Sequence, residues 1–213
     1  AIGPAAANGF DLILQSTTGP SGNQNVIMRD VPVPLIGWNQ ALLNRMGFNK
    51  DTTGVDSGPT GARQNSLFVS TNDPAAAGYS GIQNLSANLM PMCYSYPNEN
   101  AIIITKYVED PQLWANDLYY KSGAEMVSGI VAPALRYHYF TIDNHFATNL
   151  TAVGSNLLWT AMDVAVSNPP WTGYPITLGA PSSSGGMITI PFTGGAMDIT
   201  NDFSLWSSPN VNG

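Results

Sequence analysis

The strongest constraint on this chain is its punctuation. Short β-prone runs alternate with segments crowded with glycine, proline, serine and asparagine, which favour turns for distinct backbone reasons. The runs are Asp11 to Ser16, Asn25 to Val31, Ser66 to Thr71, Ala101 to Val108, Met126 to Ala132, Leu135 to Ile142, Asn156 to Val166, Met187 to Phe192 and Met197 to Trp206. Polar and apolar residues alternate best in the last of these, where Met197, Ile199, Phe203 and Leu205 stand against Asp198, Thr200 and Ser204. Between the runs lie long connections at 19–22, 51–61, 72–81, 168–175 and 179–186, several of them beyond the usual loop length. Such a pattern over 213 residues predicts an all-β fold of two packed antiparallel sheets.

Two segments read as short helices inserted between strands. Leu35, Trp38, Leu42 and Met46 recur at helical spacing, with Gly47 as a left-handed cap. Asp110 as N-cap and Pro111 in the first turn open a second, through Leu113, Trp114 and Leu118 to Gly123. Strand runs alternate with neither, so a doubly wound α/β fold is not expected. Residues 1–213 are read as one domain, with 1–10 and 207–213 as extended arms.

Charge enters as an exclusion. Only 10% of residues are charged, 7 basic against 14 acidic for a net charge of −7, where a typical soluble domain has roughly 25%. Arg29, Arg45, Lys50, Arg63, Lys106, Lys121 and Arg136 are scattered and form no cluster to neutralise adjacent phosphates or an anionic membrane surface, so direct nucleic-acid binding is not expected. No apolar run reaches the ~18 to 20 residues of a membrane-spanning helix. The aromatic content, 5 Trp, 9 Tyr and 7 Phe, argues for a packed core over disorder.

Motifs that carry chemistry are few. His138, Asp143 and His145 lie close together and are the first candidates for a metal or a His–carboxylate pair; a packed, hydrogen-bonded histidine is the competing and preferred reading. Asn49, Asp51, Thr53 and Asp56 place oxygen-bearing side chains as in the first half of a calcium loop. Thr60 stands where a closing acid belongs, so an Asx-rich turn is preferred there. Cys93 sits in apolar Met90-Pro91-Met92-Cys93-Tyr94 without a basic neighbour, as a buried inert thiol would. For glycoside hydrolysis by paired acids the first residues to inspect are Glu109, Glu125 and Asp163. Serine-elbow, phosphate-loop and dinucleotide fingerprints are absent, and no catalytic residue or cofactor is expected. Asn84-Leu85-Ser86 and Asn149-Leu150-Thr151 are sequons, relevant only in a glycosylating compartment.

Neutral polarity replaces charge: 20 Asn, 18 Ser and 16 Thr. Such a surface gives up repulsion between copies and is buried without the cost of desolvating ions, which points to a subunit of an assembly. The β runs Ile102-Ile103-Ile104-Thr105 and Met187 to Phe192, the loop Asn168 to Pro175, the short helices and the scarcity of charge together resemble viral jelly-roll coat proteins. That resemblance implies an eight-stranded double-sheet roll, no catalysis and self-assembly into a shell, placing the chain in a virion or outside the cell. Its partners would be copies of itself and other structural proteins of the particle. Residues 1–28 contain no Lys or Arg, unlike coat proteins that condense RNA with a basic arm, so a coat over a membrane or a preformed duplex genome, or an accessory protein, fits better. Two alternatives stand beside it. One is a carbohydrate-binding module with Trp171, Tyr174 and Trp206 stacking on a glycan; the other is a β-sandwich glycoside hydrolase.

Overall fold

The computed structural model describes residues 4–17, 24–49, 57–59, 64–108, 114–141 and 146–168, with the short strands at 177–178, 182–184, 187–189 and 192–193. The chain divides into two compact units, 1–171 and 172–213.

In the first unit the elements follow one another as β1 (Ile13–Gln15), α1 (Gln24–Arg29), β2 (Leu35–Gly37), β3 (Ser57–Pro59), β4 (Ser66–Val69), β5 (Gly81–Asn84), β6 (Cys93–Ser95), β7 (Ile102–Ile103), β8 (Thr105–Lys106), β9 (Leu118–Tyr120), β10 (Arg136–His138), α2 (Phe146–Asn149) and α3 (Ala152–Ser167). A five-stranded sheet runs β1-β2-β10-β9-β7, a three-stranded one β5-β4-β8, and β3 pairs with β6. The second unit contains two antiparallel pairs, β11 (Thr177–Leu178) with β14 (Phe192–Thr193), and β12 (Ser182–Ser184) with β13 (Met187–Thr189).

The fold is thus β-rich, as the punctuation predicts. Strands β1, β4, β7, β8, β10 and β13 fall inside expected runs. Other expectations are corrected. Pairing is not uniformly antiparallel, because β2 is flanked by β1 and β10 in parallel register, Ile13 beside Leu35 and Arg136 beside Leu35. The run Asn25 to Val31 enters α1, which connects the parallel strands β1 and β2. Asn156 to Val166 lies within the 16-residue helix α3. Met126 to Ala132 is a 3-10 turn, Val127–Gly129, closed by a bridge between Glu125 and Val131.

Neither expected helix forms as read among the described residues. Leu35–Gly37 is held between two strands, so its apolar residues serve a sheet, and the chain then enters a 3-10 turn at Gln40–Leu42 capped by the Asn39 carboxamide. Gly47 does take a left-handed conformation, φ 81°. From the second, Leu118 is in strand β9, and 109–113 lie outside the described residues.

Alternation along the five-stranded sheet sorts its side chains into two cores. Ile36, Tyr119 and Tyr137 pack with Leu67 and Val69 of β4 and with Leu157, Ala161 and Ala165 of α3. Leu35, Leu118 and Tyr120 face the opposite way, onto Leu42, Leu43, Met46, Phe48 and Cys93. Both faces are therefore covered, which explains why β2, β9 and β10 lack a solvent-facing residue.

Helix α3 is fixed at its start. The Thr151 hydroxyl accepts from Gly154 N at 3.2 Å and donates to Asn84 O at 2.7 Å, while Thr151 N donates to Leu85 O. Ser86 pairs antiparallel with Leu150, and Ala87 N donates to Asn149 O. The two sequons thereby lie side by side as one clip between β5 and α3.

Candidate functional site

Of the predicted calcium-loop residues, Asn49 is described and wholly buried. Its carboxamide oxygen accepts from Tyr96 N at 2.9 Å and its nitrogen donates to Asn44 Oδ1 at 3.2 Å, so the side chain braces a turn. Asp51, Thr53 and Asp56 lie outside the described residues, as do Asp143, His145, Trp171, Tyr174, Trp206 and Glu109. Glu125 and Asp163 are exposed, one in the turn before Met126 and one on the outer face of α3. No metal-binding cluster of His, Cys, Asp and Glu occurs among the described residues.

His138 lies in the second core, its ring edge-on to Phe48. Nδ1 is 3.0 Å from the carbonyl oxygen of Asn116, an acceptor, so Nδ1 carries the hydrogen. Loss of hydration lowers its pKa to about 4, against a smaller upward effect of the Asn116 carbonyl; the imidazole is neutral at ordinary pH. Cys93 is equally enclosed, and burial pushes its thiol far above the usual range, against a weaker lowering by the Tyr94 main chain and with a smaller further rise from the nearby Asp117 charge. It behaves as an apolar side chain, consistent with its sequence surroundings.

Two buried ionisable side chains went unrecognised in the sequence. The first, Arg136, presents its guanidinium to main-chain carbonyls: Nη1 donates to Val33, Ala134 and Leu135, Nη2 to Arg29 and Val31. These include carbonyls at and beyond the C-terminus of α1, which a short helix leaves unsatisfied. Desolvation lowers the Arg136 pKa to about 10, offset in part by Asp30, and the group remains cationic at neutral pH. The second is Asp117, whose carboxylate accepts from Phe140 N at 2.7 Å and from the Thr105 hydroxyl at 2.6 Å.

The outward side of α3 is the most unusual surface of the described residues. Its inner stripe, Gly154, Leu157, Ala161 and Ala165, is buried as a core-facing helix requires. The outer stripe should be polar, yet Trp159 is 64% exposed and Val166, two turns on, 50%. The one charge on the helix is Asp163. Val166 also lines a hollow with Pro32, Val33, Pro34 and Phe10, itself 63% exposed, edged by the polar Asp11 and Asn168. Large apolar side chains left in water on an otherwise polar helix face often mark a surface that another molecule covers. Asn156, Thr160 and Asp163 mark the helical repeat on this side, and the exposed Trp159 and Val166 interrupt it.

No family model, no curated protein and no solved structure matches this chain. No helix among the described residues is long and apolar enough to cross a membrane.

Proposed function

We propose that this chain is a non-enzymatic structural subunit of a self-assembling particle, a capsid or capsid-associated protein of a virion, with α3 as part of its contact surface. The observation that carries this reading is the outer side of α3, where Trp159 meets solvent and, two turns on, Val166 does so beside Phe10, on a chain with 10% charged residues. Apolar area of this kind is worth about 25 cal/mol per Å2 when covered, and few ions need be desolvated to cover it. Copies of the chain and the particle's other structural proteins are the partners this surface suits, in a virion or extracellular setting.

The double-sheet jelly roll belongs to the same proposal. The antiparallel pairs β4–β5, β4–β8, β9–β10, β7–β9 and β3–β6 support it. The parallel β1–β2–β10 segment and the long α3 are departures that a chain of this class would have to accommodate.

The test is the association state of the full chain by sedimentation velocity and negative-stain microscopy, with Trp159→Lys as the comparison. Concentration-dependent assembly that the substitution abolishes, with an unchanged circular dichroism spectrum, is the expected result. A chain that stays monomeric at millimolar concentration in both forms refutes it.

A further inference from the structure

Asp117 is the one Asp or Glu wholly enclosed among the described residues. Its position is made by three stretches of chain. Carboxylate Oδ1 takes the Phe140 N–H, just beyond β10, and Oδ2 takes the Thr105 hydroxyl on β8. The same residue's main-chain N–H donates to Thr105 Oγ1 at 3.0 Å, and its carbonyl accepts from Ile104 N at 2.8 Å. One acid just before β9 thus ties β8 to the chain leaving β10.

Among the described residues no cation balances it. Arg29 is engaged with Asp30 on the surface. The titratable groups facing Asp117 are Cys93 on β6, Tyr137 on β10 and Tyr139 beyond it, each raised first by burial and further by the Asp117 charge, and each neutral at ordinary pH. His138 is turned to the other core and holds the Asn116 carbonyl, Lys106 is half-exposed, and Asp73 is bonded to Tyr119 from the far side.

The contact with Thr105 suits either protonation state. A 2.6 Å oxygen–oxygen separation is held equally well with the hydroxyl donating to a carboxylate or a carboxylic acid donating to the hydroxyl oxygen. The Phe140 bond uses the other oxygen and is kept, weaker once the carboxyl is neutral. A proton is therefore taken up without breaking the bridge, and the buried negative charge disappears with it.

We propose that Asp117 is a proton-uptake site that tightens this fold on acidification and loosens the junction of β8, β9 and the chain after β10 as pH rises past neutrality. Burial is the largest influence on the group, outweighing the Thr105 and Phe140 bonds, and raises its pKa to about 7 from the ordinary 3.8. A folded-state value above the unfolded one means that the folded chain holds the extra proton between these limits. The stabilisation is complete below about 4 and is lost as pH rises through about 7. The inference stands apart from the assembly reading, since it concerns a single folded chain.

The direct test follows aspartate side-chain carbon signals by NMR in the folded full-length protein. One carboxyl titrating near pH 7, lost in Asp117→Asn and collapsing to an ordinary aspartate in urea, is the expected result. If every aspartate titrates below pH 5, the proposal is overturned. Should the variant fail to fold, the wild type alone decides, because a protonated-carboxyl infrared band at pH 6 that vanishes on unfolding is required and its absence is fatal. Where the variant folds, its unfolding constant relative to wild type should shift in its favour by roughly a hundredfold between pH 5 and pH 8, whereas a pH-independent ratio refutes the role.

Discussion

Replacing Gly154 by alanine sets two known effects against each other at one carbon atom. Alanine is favoured over glycine in a helix by at most about 1 kcal/mol, so Gly154→Ala, in the first turn of α3, should stabilise it by no more than that if nothing stood in the way. Something does. A Cβ at this position would fall well inside van der Waals contact of the Leu85 carbonyl oxygen, 3.3 Å from its carbon and 2.9 Å from Leu150 Cδ2.

The leucine tip can turn aside, but the carbonyl cannot. It already accepts from Thr151 N, and Gly154 itself accepts the Tyr139 hydroxyl at 2.8 Å and donates to Thr151 Oγ1. To relieve the clash, the start of α3 must move away from the end of β5, at about 1–3 kcal/mol for overpacking and about 1 kcal/mol for a bond lost from the clip. Subtracting the helix gain leaves a net loss of about 1–3 kcal/mol. Urea unfolding followed by circular dichroism measures this directly. The double variant Leu150→Ala with Gly154→Ala should show no rescue beyond the cost of the leucine, because the carbonyl remains. A Gly154→Ala protein as stable as its parent, or more so, would show that β5 and α3 do not meet as described.

Other residues give shorter predictions. Arg136→Met should cost about 3–5 kcal/mol by leaving carbonyls at the end of α1 unsatisfied, and Arg136→Lys should restore little of it, since an ammonium cannot span Arg29, Val31 and Val33 together; thermal unfolding of both variants checks this. Cys93 should resist a thiol reagent in native buffer and react fully in denaturant, with equal rates in both refuting its enclosure. His138 should make stability fall on acidification. The unfolded chain takes up a proton at about 6.5 while the folded one waits until about 4, so the stabilisation is complete above 6.5 and about 3 kcal/mol of it is lost by pH 4. An Asp117→Asn background removes the opposing slope of that carboxyl, and His138→Gln should then flatten what remains.

The legible and the hidden parts of this fold differ in their physics. Strands such as β4 and β10 were legible because β-branched and aromatic residues stand between turn formers, a local signal that tertiary packing left intact. Helix α3 was hidden because Trp159 and Val166 interrupt the polar stripe of Asn156, Thr160 and Asp163, which weakens the contrast of the 3.6-residue period. Helix α1 has few residues, and a distant arginine completes its end, which no local window contains. The segment around Leu35 carries a helical spacing, but two neighbouring strands recruit its backbone.

The candidate site residues divide similarly. Cys93 was readable from its apolar neighbours. Asp117 was not, since its enclosure depends on Thr105 and Phe140, 12 and 23 positions away. Its short polar segment, Asn116-Asp117, leading into Leu-Tyr-Tyr, marks a strand start that the helical reading of 110–123 concealed.

Arg136 and Asp117 hold opposite charges inside one unit, and each is answered by main-chain or hydroxyl dipoles and not by an ion. Mobile salt screens charges that face water and reaches enclosed dipolar contacts very little. At these two enclosed sites the described fold therefore offers added electrolyte almost nothing to weaken. Its internal order should be nearly the same in dilute buffer and in molar sodium chloride, a robustness to brine reached by omitting charge instead of accumulating it.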